Sequence, residues 1–398
     1  MIQSYIDWTP LILDHWKELL FKQCVTINNG RDYKNIESTE GVPVIGSGGQ
    51  FTYCTEEMYN GEVIFLGRKG TIDKPIYYKG PFWAVDTMFY AIPNKKFCAK
   101  YLYYLSTCFP FKGISTQTAL PSMTQTALKN VVVFTPSLAG QQRMVTYLDT
   151  KLSEIDHQVS LLTSKRDAYL RLKKNIINHA VTHGLNTNVK MKDSGIEWIG
   201  EVPEHWEVKR MKDIFIERKE LSLTGEEDLL SVSEFYGVAR RKDKMNSDEE
   251  FESRADSLVG YKICKAHDLV INIMLAWKTG LGISDYDGIV SPAYAVYEGS
   301  NIASHFYHYL LRSGMYVKEF KRHSKGIIDS RLRLYNDRFN NISAIYPPLP
   351  EQRVIATYLD DKCAKIDTIV SNLDKQISRY ADLKRSLIDE VITGKRAV

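Results

Sequence analysis

The chain has 398 residues, more than a single hydrophobic core ordinarily serves, so two domains of ordinary size are expected. It is 44% hydrophobic and 25% charged with no low-complexity tract, and the net charge is only +4, so any nucleic-acid surface must come from local patches. No apolar run approaches the roughly 18 residues that cross a bilayer, and "MIQSYIDWTP" lacks the basic flank and apolar run of a secretory leader. A cytoplasmic protein without membrane association is therefore expected. The six cysteines (Cys24, Cys54, Cys98, Cys108, Cys264, Cys363) form no CxxC and read as reduced thiols, neither a disulfide framework nor a zinc site.

In chain order, "SYIDWTPLILDHW" (Ser4–Trp16) comes first, followed by strand-like segments with Gly-rich turns: "GEVIFLGRKGTI", "PIYYKG" and "FWAVDTMFYAIP". A short helix is expected around Ala99–Thr107. "FTPSLAGQQRMVTYLD" (Phe134–Asp149) then opens a stretch, Gln141–His183, with no Pro or Gly, ended by Gly184. Polar "NTNVKMKDSG" (Asn186–Gly195) has the composition of a linker. Beyond it the order repeats. "SGIEWIGEVPEHW" (Ser194–Trp206), strands in "HDLVINIM" and "DGIVSPAYAVYE", and a helix around Ser304–Arg312 lead to "IYPPLPEQRVIATYLD" (Ile345–Asp360). The closing uninterrupted stretch is Gln352–Thr393, with Gly394 behind it.

The repeat is quantitative. Pro136–Thr182 and Pro347–Thr393 align without a gap at an offset of 211 and are identical at 18 of 47 positions. The openings align at an offset of 190, sharing the acid-His-Trp of Asp14-His15-Trp16 and Glu204-His205-Trp206. The second middle is thus longer by 21 residues, the difference between the offsets, mostly in or near "YGVARRKDKMNSDEEFESR" before Asp268. Similar ends around dissimilar middles describe two modules that share a mounting and differ in what they present.

Within the repeated segment, Leu148, Leu152, Ile155, Val159, Leu162, Arg166 and Tyr169 recur in steps of four and three. So do Leu359, Cys363, Ile366, Val370, Leu373, Ile377 and Tyr380. This is a heptad seam on a long helix, about 42 residues or roughly 60 Å. Neither helix can bury its stripe alone, and the other copy is the nearest matching partner. Bundle packing by itself would not preserve Tyr-Leu-Asp or Ser160/Ser371.

No catalytic constellation is visible. The chain lacks GxxxxGK[ST] and a Pro-Asp that could open a PD…ExK nuclease site, and "IYPPLP" has Tyr346 where an amino methyltransferase needs an Asn or Asp. "GSGG" after "VPVI" lacks the helix and downstream acid of a dinucleotide site. His15 and His205 sit beside Trp as packing or capping residues, and the other histidines have no metal-ligand spacing. Basic clusters do stand out. Arg68 and Lys69 lie on a glycine turn after a strand. "ARRKDK" carries Arg240, Arg241, Lys242 and Lys244, and "KEFKRHSKGIIDSRLR" carries Lys318, Lys321, Arg322, Lys325, Arg331 and Arg333. Charge runs are commonly solvated faces, but their recurrence in the diverged part of both modules favours a phosphate-facing surface.

With both copies of P-x-L-x-x-Q…TYLD, "DSGIEWIGEVPEHWEV", "GRKGTI", and "DGIVSPAYAV" with its preceding "DLVIN", the chain resembles a specificity subunit of type I restriction–modification systems over nearly its whole length. The departure is "PSLAGQQ", where the family has a second Pro and Glu-Gln. The resemblance implies an α+β protein: two α/β target-recognition domains in a tandem pseudo-twofold repeat, separated by two long antiparallel helices forming a coiled coil. Its parts would be a first recognition domain (1–135), a central helix (136–185), a linker (186–193), a second recognition domain (194–346) and a C-terminal helix (347–398). Each domain would read one half of a bipartite, asymmetric double-stranded DNA target. The helices would set the spacer and dock two methyltransferase subunits, with restriction subunits completing the complex. S-adenosylmethionine, ATP and Mg would belong to those partners, with no cofactor, metal or catalytic residue in this chain.

Loop placement and charge nominate Arg68, Lys69, Arg240, Arg241, Lys278, Lys321, Arg322, Lys325, Arg331 and Arg333 as DNA-binding, and the heptad residues other than Arg166 as helix-pair packing. Two other classes remain open at this point: a coiled-coil adaptor whose globules bind proteins, and an enzyme that itself modifies DNA.

Overall fold

The chain divides into two units, each with a segment of both long helices, and the computed structural model describes residues 2–3, 11–12, 15–116, 121–244 and 257–398. One unit is Met1–Thr163 with Asp374–Val398, and the other is Ser164–Leu373. The first long helix is Leu138–His183 (46 residues) and the second Leu349–Ile392 (44 residues). Each begins three residues ahead of its Pro- and Gly-free stretch. Ser137 accounts for this in the first, where its hydroxyl oxygen accepts from the Gly140 amide at 3.3 Å. The Ser and Gly that depart from the family pattern therefore cap the helix between them. Gly184 and Gly394 close the helices at φ of 75° and 76°, where a side chain would be strained.

The repeated residues make the same contacts twice. Gln141 and Gln352 are buried, and each side-chain amide donates to the carbonyl of the Pro that opens its segment (Pro136 at 3.1 Å, Pro347 at 2.7 Å). Each amide oxygen accepts from the backbone at the start of the short helix, Cys98 N at 2.9 Å and Ala303 N at 2.8 Å. The Asp of Tyr-Leu-Asp accepts from a tyrosine of that short helix: Tyr104 to Asp149 at 2.6 Å and Tyr309 to Asp360 at 2.7 Å. Lys384 reaches Asp156 at 2.7 Å in the first unit, and Lys173 reaches Asp367 at 2.6 Å in the second. These exposed pairs contribute at most about 1 kcal/mol each, so they specify register more than stability. In both units the rising numbers of one helix meet the falling numbers of the other, so the helix segments run antiparallel.

Along the seam, Leu148, Leu152 and Ile155 are buried in one core with Leu387, Val391 and Ile392. Leu359 is buried in the other unit's core with Ala180, Val181 and Ile355. Cys363, Ile366 and Leu373 are buried, while Val159, Leu162, Tyr169, Val370, Ile377 and Tyr380 are half-buried.

The shared ends also form a two-stranded antiparallel ribbon leading into each long helix. Lys17–Leu20 pairs with Val132–Thr135, and Glu207–Arg210 with Ser343–Tyr346. Between these ends the units differ. The first holds a seven-stranded sheet in the order Val25–Asn29, Met88–Pro93, Tyr59–Gly67, Ile76–Ala84, Val42–Gly46, Gly49–Cys54, Glu37–Ser38, with one parallel pairing, Val42–Gly46 with Ile76–Ala84. The second holds a four-stranded antiparallel sheet, Phe215–Glu217, Tyr294–Gly299, Leu269–Asn272, Leu281–Ile283. Two antiparallel pairs accompany it: the hairpin Leu230–Ser233 with Gly237–Arg240, and Lys262–Cys264 with Gly288–Val290.

The short helices are Ala99–Thr107 and Ser304–Leu311. "GSGG" is the turn of the hairpin Val42–Gly46/Gly49–Cys54. Within the expected linker, Met191–Asp193 instead pairs with Glu201–Pro203, because "EVP" offers it an edge. Most of "SYIDWTPLILDHW" and residues 245–256 of the inserted stretch lie outside the described residues.

Replacing Gln352 by Leu leaves the Pro347 carbonyl and the Ala303 amide unpaired in a buried site. The cost is roughly 1–3 kcal/mol per group, read as a lower urea midpoint of the second unit, whereas the change Arg353→Ala at its exposed neighbour leaves the midpoint in place.

Candidate nucleic-acid interface

In each unit the central strand of the sheet ends in a loop tied back to the segment that precedes the long helix. The first strand, Tyr59–Gly67, is buried from Val63 to Gly67. Thr87 O accepts from Arg68 N at 2.8 Å and Lys69 N at 3.3 Å, and Arg68 O accepts from Met123 N at 2.9 Å. Gly67 is required because a Cβ there would lie 2.3 Å from Thr71 O. The Arg68 side chain folds back on the globule, donating to Asp86 O at 3.3 Å and lying over the Phe89 ring. Lys69 is the exposed cation of this turn.

The second strand, Leu269–Asn272, is buried throughout, and its loop is tied by Leu334 N donating to Ile273 O at 2.8 Å. Met123 and Leu334 are the same position at the offset of 211, so the tie is duplicated too. Here the loop is longer and carries one 3-10 turn, Ala276–Lys278, closed by Thr279 at φ 68°. The Trp277 ring N–H donates to Met274 O at 3.1 Å, which pins the indole. The ammonium groups of Lys278 and Lys321 each lie 4.9 Å from its ring. Lys321 also pairs with Asp329 at 2.9 Å.

Lys325 and Arg333 face each other through two backbone bonds of 2.9 Å, at the neck of a loop whose tip carries Ile327, 99% exposed. Arg331 is exposed on the same loop, and Arg333 donates to Arg331 O at 3.4 Å. The structure thus gathers Lys278 and Lys321 at one indole and ties the loop bearing Lys325, Arg331 and Arg333 to the Trp277 loop.

The other candidates do not join them. Arg322 turns to buried Glu319 at 2.9 Å, which His323 also contacts at 2.9 Å. Arg240 sits over the Tyr286 ring and, with Lys242, flanks Asp228 at 3.3 and 2.7 Å. The bond from Lys242 holds the Asp228 carboxyl below its ordinary range. Arg241 is exposed beside them.

Three functional-looking groups were missed in the sequence. Trp277 had only "AWK" in a loop to signal it. Arg312 is held deep, donating to Thr279 O (2.7 Å), Leu281 O (2.6 Å), Glu234 O and Phe235 O (both 3.0 Å). It clamps the base of the Trp277 loop to the hairpin tip where Phe235 is 90% exposed. The acid of "DLVIN", Asp268, is 2% exposed and takes Arg218 at 2.7 and 3.1 Å. Among the histidines, His205 and the Trp206 ring N–H both meet Glu351, at 2.7 and 3.0 Å. The first copy has Gly140 where Glu351 stands, so Trp16 has no such carboxylate opposite it. His308 is buried, which drops it to about 4, and its neutral Nδ1 accepts from Ile283 N at 3.3 Å.

His305 lies between Asp285 at 3.2 Å and Asp360 at 3.6 Å, and the bond with Asp285 raises its pKa above 6.5. The first unit has Lys100 on Asp149 in the corresponding place, at 2.7 Å. A raised histidine stabilises fully below its unfolded pKa and stops doing so as pH rises through the folded value. The second unit should therefore lose a small increment above pH 6.5, under about 1 kcal/mol because the ion pair is half-exposed. His305→Lys removes that dependence, checked as the difference between wild-type and variant melting temperatures at pH 6 and pH 8.5.

Among the described residues, no cluster of three or more His, Cys, Asp or Glu could hold a metal, and no helix is long and apolar enough to cross a membrane. The fold and loops define a duplicated two-unit protein that exposes basic, aromatic-bearing loops on unlike sheets. A family profile described as the type I restriction modification DNA specificity domain matches residues 14–161 and 203–379, and the chain belongs to that family. Proteins of this kind supply DNA sequence specificity to type I restriction–modification systems and are not themselves catalytic, and this chain takes that role.

It is 22% identical over 357 residues to the type I restriction enzyme MjaVIII specificity subunit of Methanocaldococcus jannaschii, covering 84% of this chain and 76% of that protein. It is 23% identical over 269 residues to the StySPI specificity subunit of Salmonella potsdam, covering 65% of this chain and 56% of that one. A chain solved in work on complex assembly and conformational transition of the type I R-M system has the same fold, with a TM-score of 0.69 at 14% identity. That match covers 96% of this chain and 98% of the solved one.

Proposed function

We propose that the first globule (1–135) and the second (194–346) are target-recognition domains, each reading one half of a bipartite, asymmetric DNA sequence. The long helices (136–185 and 347–398), joined through 186–193, set the spacer and dock two methyltransferase subunits, with restriction subunits completing the complex in the cytoplasm. S-adenosylmethionine, ATP and Mg act on those partners. The observation that carries this reading is the loop at the end of each central strand, held by a duplicated backbone tie yet armed differently: Arg68 and Lys69 in one unit, Trp277 with Lys278 and Lys321 in the other. Unlike loops on a shared mounting suit unlike half-sites. Lys69, Lys278, Lys321, Lys325, Arg331 and Arg333 are the DNA-facing cations. Arg68, Arg240 and Arg241 act at the loop margins, and Arg322 contributes through Glu319 and the helix that carries Lys321.

The direct test is to express the chain with its methyltransferase subunit and map modified adenines genome-wide. A two-part asymmetric motif is expected, and a single contiguous motif or none rejects the reading. The double change Lys278→Gln, Lys321→Gln should flatten the log–log salt dependence of binding by about 0.9 per lost phosphate contact and relax one half-site only. A flat slope in the wild type would instead indicate a protein adaptor. Helices of 46 and 44 residues act as a ruler in this reading. Inserting one heptad in each adds about 10 Å and should lengthen the spacer by roughly three base pairs, visible in the methylation motif.

A further inference from the structure

At the base of the Trp277 loop, the second unit has a cleft of about 340 Å³, walled by the start of the helix Gly314–His323 and by residues of the 170–178 stretch. Lys173, Lys174 and Arg312 line it, and among the described residues no carboxylate does. Lys173 is already neutralised by Asp367 at 2.6 Å, whereas Lys174 and Arg312 form no ion pair with any described residue. The terminal nitrogens of Arg312 meet only carbonyls, those of Thr279, Leu281, Glu234 and Phe235. Carbonyls satisfy its hydrogen bonds and leave its charge uncompensated, and burial lowers its pKa.

The helix adds a further positive source. Its N-cap, Ser313, is 3% exposed and makes no side-chain bond to the amides of the first turn. The Ser313 Oγ meets no hydrogen-bond partner among the described residues. An N-terminus that lacks its cap keeps bare amides and a positive partial charge. A Cβ built on Gly314 would lie 3.5 Å from Lys174 Cε and 3.8 Å from its Nζ, so the ammonium lies beside the helix start.

Lys174, Arg312 and the helix start are like charges gathered around one cleft, and an anion among them relieves their repulsion. The buried hydroxyl of Ser313 lacks the acceptor that such an anion supplies. We propose that this cleft is a phosphate site. The phosphoryl oxygens take the Ser313 hydroxyl and the first-turn amides on one side and the Lys174 ammonium on the other, with the Arg312 charge behind them. Leu170, Ile177 and Val317 line the remainder, which leaves an apolar wall for the organic part of a phosphate ester. Thr279, which closes the Trp277 turn, also lines the cleft, so a bound phosphate braces that loop from its base. The site belongs to the second unit alone. Arg312 and Ser313 follow Tyr309 by three and four residues, where Thr107 and Cys108 follow Tyr104 in the first. It does not rest on the bipartite-target reading.

The full chain is titrated with inorganic phosphate, followed by phosphorus NMR line width and melting temperature, against potassium chloride at equal ionic strength. Phosphate should broaden and raise the melting temperature saturably, and chloride should not. Lys174→Gln should weaken phosphate binding about tenfold, the worth of one charge-assisted hydrogen bond. Ser313→Ala should weaken it severalfold yet leave the melting temperature without phosphate unchanged, because the hydroxyl bonds to nothing there. Lys219→Gln, at an exposed cation that does not line the cleft, should leave the affinity in place. No saturable effect of phosphate overturns the proposal, and so does equal affinity in the Lys174→Gln and Lys219→Gln chains. Duplex DNA and adenosine monophosphate then separate the sources. Displacement of phosphate by the duplex supports the site with a backbone phosphate as occupant. Displacement by the mononucleotide with the duplex bound alongside supports it with a free phosphate ester.

Discussion

The buried side-chain amides of Gln141 and Gln352 hold each globule to its long helix. One amide group serves two backbones at once, donating to the proline carbonyl before the helix and accepting from the first amide of the short helix. The bonds to the proline carbonyls are buried and those from the short helix part-buried, and a side chain that both donates and accepts is needed to satisfy the two partners. With this joint in place the tyrosine of the short helix falls opposite the aspartate of Tyr-Leu-Asp, and the ribbon of the shared ends feeds into the helix start. A chain whose globules must differ can keep this small set of polar contacts unchanged and vary everything beyond it.

That division explains where the duplicated residues survive. Contacts at the joint and along the helix pair are made by identical or equivalent side chains in both units. The sheets share little beyond one buried strand and one backbone tie. The seven-stranded sheet of the first unit leaves a short Gly-Arg-Lys-Gly turn, whereas the smaller sheet of the second leaves room for the longer Trp277 loop and for the hairpin that Arg312 clamps to it. Backbone ties need no particular side chain, so they persist while the sequence around them drifts.

The helix pair was legible because heptad spacing and absence of Pro and Gly are local signals. The first helix begins three residues ahead of its Pro- and Gly-free stretch because Ser137 caps it at the Gly140 amide, a bond that the residue types permit but do not announce. The nominated cations were legible as charge and not as a surface. Lys321 and Arg322 are adjacent in sequence, yet one turns to an indole and the other to buried Glu319. On a helix, neighbours point about 100° apart, and what each meets depends on the element packed there. Trp277 and Arg312 were passed over for the same reason: an aromatic in a loop or an arginine at a helix end gains its role from what it meets.

The sequence by itself determined the duplication, the long helices, the shared mounting and the family, since all of these are periodicities or identities within the chain. Tertiary structure alone decided which cations converge and how loops at the ends of equivalent strands come to be armed differently. Those outcomes rest on contacts between residues far apart in the chain, whose geometry is set only when the sheets, ribbons and helices have packed.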